Sequence, residues 1–163
     1  MEITIVKNAY TMEAAFERLQ ERSKHFSIEK MSTLFYPYLK VDYNVDFGGK
    51  LKRLNLDVIC MIDLYTGRIS VAKTEGKYFK QEVEEKYIMP IKIDGQKKKK
   101  DCPIEVSTEL MSRKRVPKIP DITEKADQLV YRPFFIVECK NEQKEDFHIL
   151  FDAVSGDFSL LDA

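Results

Sequence analysis

Three cysteines (Cys60, Cys102 and Cys139), two histidines (His25 and His148) and one dense basic run are the residues of this 163-residue chain whose types could do chemistry. Their spacing narrows what that chemistry is. No cysteine stands in a C-x-x-C pair and neither histidine has metal-ligand spacing to another Cys, His, Asp or Glu, so no metal and no cofactor are expected. The thiols read as reduced, small apolar core or loop residues of a cytosolic protein. G-x-S-x-G, G-x-G-x-x-G and G-x-x-x-x-G-K-[ST] do not occur, and Gly48-Gly49 lacks the strand-to-helix setting of a phosphate cradle. The chain therefore reads as a non-enzyme with no catalytic residue to name.

The basic run is the one electrostatic asymmetry. Lys97, Lys98, Lys99, Lys100, Arg113, Lys114, Arg115 and Lys118 face only Asp101, Glu105 and Glu109 over the same stretch. Clustered cations of this kind contact phosphates. No Phe, Tyr or Trp falls between Tyr87 and Tyr131 to stack a base, however, so a solvated loop is the plainer reading and a partner-binding loop the next. Weak nucleic-acid binding through Lys97 to Lys118 stays open as an alternative.

Over the whole chain 27 Lys+Arg balance 27 Asp+Glu, so the average surface draws neither nucleic acid nor an anionic membrane. The longest apolar run, Val58 to Ile62, is enclosed by Asp57 and Asp63, far short of the roughly 18 residues of a membrane span. The start, Met1 to Lys7, has no basic region followed by an apolar one. No membrane contact and a cytoplasmic location are the resulting expectations.

The elements that would position any site come from a repeat. Tyr36-Pro37-Tyr38-Leu39-Lys40-Val41-Asp42-Tyr43 matches Arg132-Pro133-Phe134-Phe135-Ile136-Val137-Glu138-Cys139, and Ile62-Asp63-Leu64-Tyr65-Thr66-Gly67 matches Phe151-Asp152-Ala153-Val154-Ser155-Gly156. The faces agree in phase: Leu39, Val41 and Tyr43 with Phe135, Val137 and Cys139, then Val58, Cys60 and Ile62 with Phe147, Ile149 and Phe151. His148 aligns with Ile59 as a half-buried strand residue. In both D-x-x-[TS]-G segments the Asp and Ser/Thr start a turn and Gly accepts positive φ, which predicts hairpin corners rather than metal loops. Before the first copy, Met12, Ala15, Phe16, Leu19, Ser23 and Phe26 recur on one helical face behind a Thr11 cap. Before the second, Asp121-Ile122-Thr123-Glu124 predicts a shorter helix ending ahead of Pro133.

A helix followed by a three-stranded meander whose second hairpin carries apolar-D-x-x-[TS]-G-x-apolar resembles the PepSY-type module. The resemblance covers Met12 to Ala72 and Asp121 to Leu161. It implies a non-catalytic module that binds or inhibits proteins, usually in secreted or membrane-anchored chains; this sequence departs in showing no export or membrane segment.

The fold class is accordingly α+β: two related helix-plus-antiparallel-meander halves about a pseudo-two-fold, at 1–73 and 121–163, joined by a connecting segment at 74–120. Within that segment a helix is expected near 74–87, a strand over Ile88 to Ile93 and a turn at Asp94-Gly95. Ile3 to Ile5 would add an edge strand. The sheet faces opposite the cores carry a second apolar row, Tyr36, Tyr38, Ile59, Met61, Phe134 and Leu150. Such a row is either helix-covered or a surface for a protein partner or self-association, with Tyr36, Tyr38, Met61, Phe134 and Leu150 as the candidate residues. The functional expectation is a protein-binding or regulatory module, the alternative a small-ligand binder or enzyme with a pocket between the halves.

Overall fold

The computed structural model describes residues 1–22, 25–48, 55–72, 76–114 and 120–161, with backbone alone at 113 and 114. The fold is α+β and mostly sheet. In chain order come β1 (Glu2–Val6), α1 (Met12–Arg22), β2 (Phe26–Asp46), β3 (Asn55–Asp63), β4 (Ile69–Ala72), β5 (Tyr78–Glu82), a 3-10 turn at Glu85–Tyr87, α2 (Gly95–Lys98), α3 (Cys102–Lys114), β6 (Asp121–Asn141), β7 (Asp146–Asp152) and β8 (Phe158–Leu160). The chain divides into two units, one of Met1–Tyr36, Lys77–Met89 and Tyr131–Ala163, the other of Pro37–Gly76 and Pro90–Val130. The 21-residue strands β2 and β6 each pass from one unit into the other.

In the first unit β6, β7 and β8 form an antiparallel meander, with Phe135 opposite Phe151, Val137 opposite Ile149 and Phe151 opposite Phe158. Alternation puts Phe135, Val137, Cys139, Ile149 and Phe151 on one face, and α1 closes over them with its wholly buried Ala15 and Leu19. Thr11 Oγ1 accepts from the Ala14 amide at 3.1 Å and starts this helix. Aromatic rings fill the middle: Phe151 stacks on Phe135 (6.2 Å) and Phe158 (6.3 Å) and meets Tyr10 edge-on (5.5 Å). A smaller core of Ile3, Ile5, Phe35 and Tyr131 sits where β1 pairs antiparallel with β5 and touches β6 at Tyr131. β1 is thus flanked on both sides and is not the edge strand expected of Ile3 to Ile5. At the β7–β8 corner Asp152 Oδ1 accepts from the Val154 and Ser155 amides (2.9 and 3.3 Å), and Gly156 takes φ +82°. Arg132 holds the same carboxylate at 2.8 Å.

The second unit holds the meander of β2, β3 and β4. Leu39, Val41 and Tyr43 stand opposite Ile62, Cys60 and Val58. Cys102, Val106 and Leu110, spaced i, i+4, i+8 along α3, close the core over them. At its corner Asp63 Oδ1 accepts from the Tyr65 and Thr66 amides (2.8 and 3.0 Å) and Gly67 takes φ +82°.

Each helix thus lies in the unit of the meander that it does not precede. α1 leads into β2 yet roofs β6–β8; α3 leads into β6 yet roofs β2–β4.

Five further local expectations are corrected. Residues 121–130 are strand: of these only Val130 is buried and Ile122 half-buried, so polar residues that read as a capping box line an exposed strand. Where a helix was expected near 74–87, 74 and 75 lie outside the described residues, and Tyr78–Glu82 is strand because its aromatics suit the pairing with β1. Ile88 to Ile93 is no strand beyond one bridge of Ile88 to Phe35, and Asp94 caps α2 instead of turning a hairpin, its carboxylate accepting from the Gln96 and Lys97 amides. The supposed solvated loop is helical from Gly95 to Lys114, since Cys102, Val106 and Leu110 have a core to bury.

Candidate functional site

The sheet face roofed by α1 is longer than its roof. β7 presents Phe147, Ile149 and Phe151 on that face, and the pairing of Ile149 with Leu160 and of Phe151 with Phe158 adds two residues of β8. An 11-residue helix spans only about 16 Å at 1.5 Å per residue. It packs over the cluster of Phe135, Val137, Cys139, Ile149 and Phe151 and ends at Arg22, whose guanidinium lies 5.8 Å from the Phe158 ring centroid. Beyond its end Phe26 crosses over and meets Phe147 edge-on at 5.4 Å. What remains is a groove of about 610 Å³ floored by Phe26, Phe147, Ile149, Phe158 and Leu160. Leu160 is 59% exposed and Leu161 46%, large values for leucines beside a core.

The rim is polar. Glu145 and Asp146 line it, as does His25, whose Nδ1 lies 3.0 Å from Glu142 Oε1. The turn beneath is set by Asn141 Oδ1, which accepts from the Glu145 amide at 2.9 Å, and by Lys144 at φ 60°. β8 pairs with β7 alone among the described strands. The Asp152 amide donates to Asp157 O and the Leu161 amide to His148 O, so residues 157, 159 and 161 turn their backbone groups toward β7. By antiparallel alternation those of Phe158 and Leu160 point away from it, an edge able to accept another strand.

The five residues expected at a partner surface are all half-buried. Tyr36 and Phe134 meet edge-on at 5.8 Å in the first unit, with Leu150 opposite Ile136 on the face of Phe134. Tyr38 and Met61 belong to the second unit, on a face where Lys40 and Ile59 are buried and Lys40 reaches Asp42 at 3.4 Å. The basic run is partly neutralised. Lys99 pairs with Glu124 (2.7 Å) and Asp127 (2.9 Å), and Lys98 with Asp101 (3.3 Å). These bonds hold the Lys99 ammonium above its ordinary pKa, and Gln96 and Lys99 together hold Asp127 below the usual carboxylate range. Lys97 and Lys100 are exposed; the side chains of Arg113 and Lys114, and Arg115 and Lys118 entirely, lie outside the described residues.

The groove residues were absent from the sequence-based candidates. Phe147 and Ile149 are inner-face positions by their spacing, and nothing local says where the helix above them ends; Leu160 and Leu161, an apolar pair after the last turn, are the available signal. No helix among the described residues is long and apolar enough to cross a membrane, and no group of three or more metal-binding side chains occurs among them. No family model, curated protein or solved structure matches the chain.

Proposed function

We propose that the protein is a non-enzymatic protein-binding module that takes a peptide segment of its partner in the groove beside β8. The carrying observation is the coincidence of an apolar groove, two exposed leucines and an outward-facing strand edge at one place. An added strand would gain main-chain bonds from Phe158 and Leu160 while its alternate apolar side chains fill the groove. Glu145 and Asp146 on the rim favour lysine or arginine next to those apolar residues. The reading includes two related halves about a pseudo-two-fold, as the internal repeat implies, and the binding role that the PepSY-type resemblance implies. It is supported by the matched Asp63 and Asp152 corners and by a helix over each meander. The neutralised lysines and the missing stacking rings favour a protein over a nucleic acid.

Alternating Val/Phe peptides with flanking lysines, titrated into labelled protein, test the idea by amide chemical shifts. Shifts should concentrate in β7 and β8, and Leu160→Asp, at a side chain already exposed, should weaken binding about tenfold or more without lowering the melting temperature. Equal binding by Leu160→Asp, or no shift with any such peptide at millimolar concentration, would refute it.

A further inference from the structure

The first unit has a second strand edge besides that of β8. β5 pairs antiparallel with β1 and with no other described strand. The Lys7 amide donates to Lys77 O at 2.8 Å and the Val83 amide to Met1 O at 2.9 Å, so residues 77, 79, 81 and 83 turn their backbone groups toward β1. By alternation those of Lys80 and Glu82 point away from it. Glu84 continues the extended backbone at φ −76° and ψ 136°, which carries the edge past the end of the strand. The side chains along it reach solvent: Lys80, Gln81 and Glu82 are exposed, and Phe79 is 39% exposed although Ile5, opposite it on β1, is buried. Charge runs along this edge in one sense, with Lys77 and Lys80 in its first part and Glu82, Glu84 and Glu85 in its last. Such a strand complements its own reverse.

We propose that β5 is a dimerisation edge: a second copy of this chain adds its own β5 antiparallel, with Gln81 opposite Gln81 of the second copy across a two-fold axis. Two constraints select that register. Outward-pointing backbone groups must meet outward-pointing groups, so even-numbered residues stand opposite even-numbered residues. Of the alignments that satisfy this, one step in one direction sets Lys80 against Lys80 and one step in the other sets Glu82 against Glu82, and like charges directly opposite are unfavourable. The register between them sets Lys80 against Glu82 of the second copy, and the two-fold repeats the pair. Lys80 and Glu82 then exchange both main-chain hydrogen bonds across the junction. Glu82 Oε1 already accepts from the Met1 ammonium, but the side chain is 74% exposed and a carboxylate has room for a further donor. On the other face, the one that carries Ile3 and Ile5 into their core, the same register lays the exposed Phe79 ring on Val83 of the second copy. Beyond the strand it sets Lys77 near Glu85. Two five-residue strands make a small interface, so the dimer is concentration-dependent.

Sedimentation equilibrium of the full chain over about 1 μM to 1 mM reads the association. The native chain should pass from monomer to dimer within that range. Lys80→Glu and Glu82→Lys each set like charges opposite one another at two places and should weaken the dimer about tenfold or more. Mixed in equal amounts, these two variants present complementary edges and should form the heterodimer that neither can replace by pairing with itself. The chain carrying both exchanges should dimerise as the native one does. Leu160→Asp should leave the association unchanged, which separates this edge from the groove beside β8. A native chain that stays monomeric, single variants that dimerise undiminished, loss of the dimer in Leu160→Asp, or a mixture that recovers no association would each overturn the proposal. If a single variant melts early, the native chain and the doubly exchanged chain decide it.

Discussion

Replacing Leu19 by alanine is the sharpest probe of the exchanged helices. The side chain is wholly buried within the cluster of Phe135, Val137, Ile149 and Phe151. Loss of a buried leucine side chain and the cavity it leaves cost about 3 kcal/mol. For a chain of this size each kcal/mol moves the melting temperature by about 2–4 °C, so a drop of about 6–12 °C is expected. Stability alone does not say which sheet α1 supports. Double-mutant cycles do: Ile149→Val shares the Leu19 cluster, while Ile62→Val belongs to the cluster under α3. Urea denaturation should give a coupling of about 1 kcal/mol for Leu19 with Ile149 and additivity within about 0.3 kcal/mol for Leu19 with Ile62. Coupling to Ile62 and none to Ile149 would mean that α1 covers the meander it precedes, and the arrangement described above would be wrong.

Thr11→Ala removes the cap of α1 and should cost about 1 kcal/mol in the same urea experiment. Gly67→Ala and Gly156→Ala both force alanine to φ +82°, but a Cβ at Gly156 meets the Tyr10 ring at 2.7 Å while one at Gly67 finds Ile93 at 3.7 Å. Both should lose about 1 kcal/mol or more to backbone strain, with Gly156→Ala clearly the worse; an inverted order would contradict the described Tyr10–Phe151 packing. Cys139 is held neutral by burial, its pKa raised from 9.0 to about 11, so the unfolded chain releases this proton first as pH rises. Its contribution is complete below pH 9 and lost by about pH 11, and thermal melts across that window should fall less steeply in Cys139→Ala than in the native chain.

The parts of the fold readable from sequence are those with a strong local period. Phe135, Val137 and Cys139 alternate against Phe147, Ile149 and Phe151, and the observed register pairs them in that phase. Ala15 and Leu19 stand on one helical face behind Thr11, and they are the residues α1 buries. The first halves of β2 and β6 carry no such signal. Of 121–130 only Val130 is buried, and 26–34 contains no buried residue, so neither stretch needs alternating apolar side chains and both pass for helix or linker. The groove was hidden for a different reason. Its floor residues are ordinary inner-face positions, and the opening above them follows from where α1 ends in space, which no spacing along 147–160 records.

Strand length accounts for the exchange of helices. An average strand runs about 5–6 residues, but β2 and β6 run 21 each, long enough for one continuous strand to serve two units. α1 ends at Arg22 and β2 begins at Phe26, so the helix must stay beside the first part of that strand; β3 follows the far end of β2 and must stay with the second part. α3 and β7 are tied to the two ends of β6 in the same manner. A helix on a short tether and a meander on the opposite end of a shared strand cannot cover one another, so each takes the partner that the other strand brings. The cost is kinetic: α1 has no seat until residues 135–153 have been placed, a contact of high sequence separation that closes late in folding. A fragment ending before β6 therefore leaves Ala15 and Leu19 exposed, and neither meander can be separated from the chain with its own core intact.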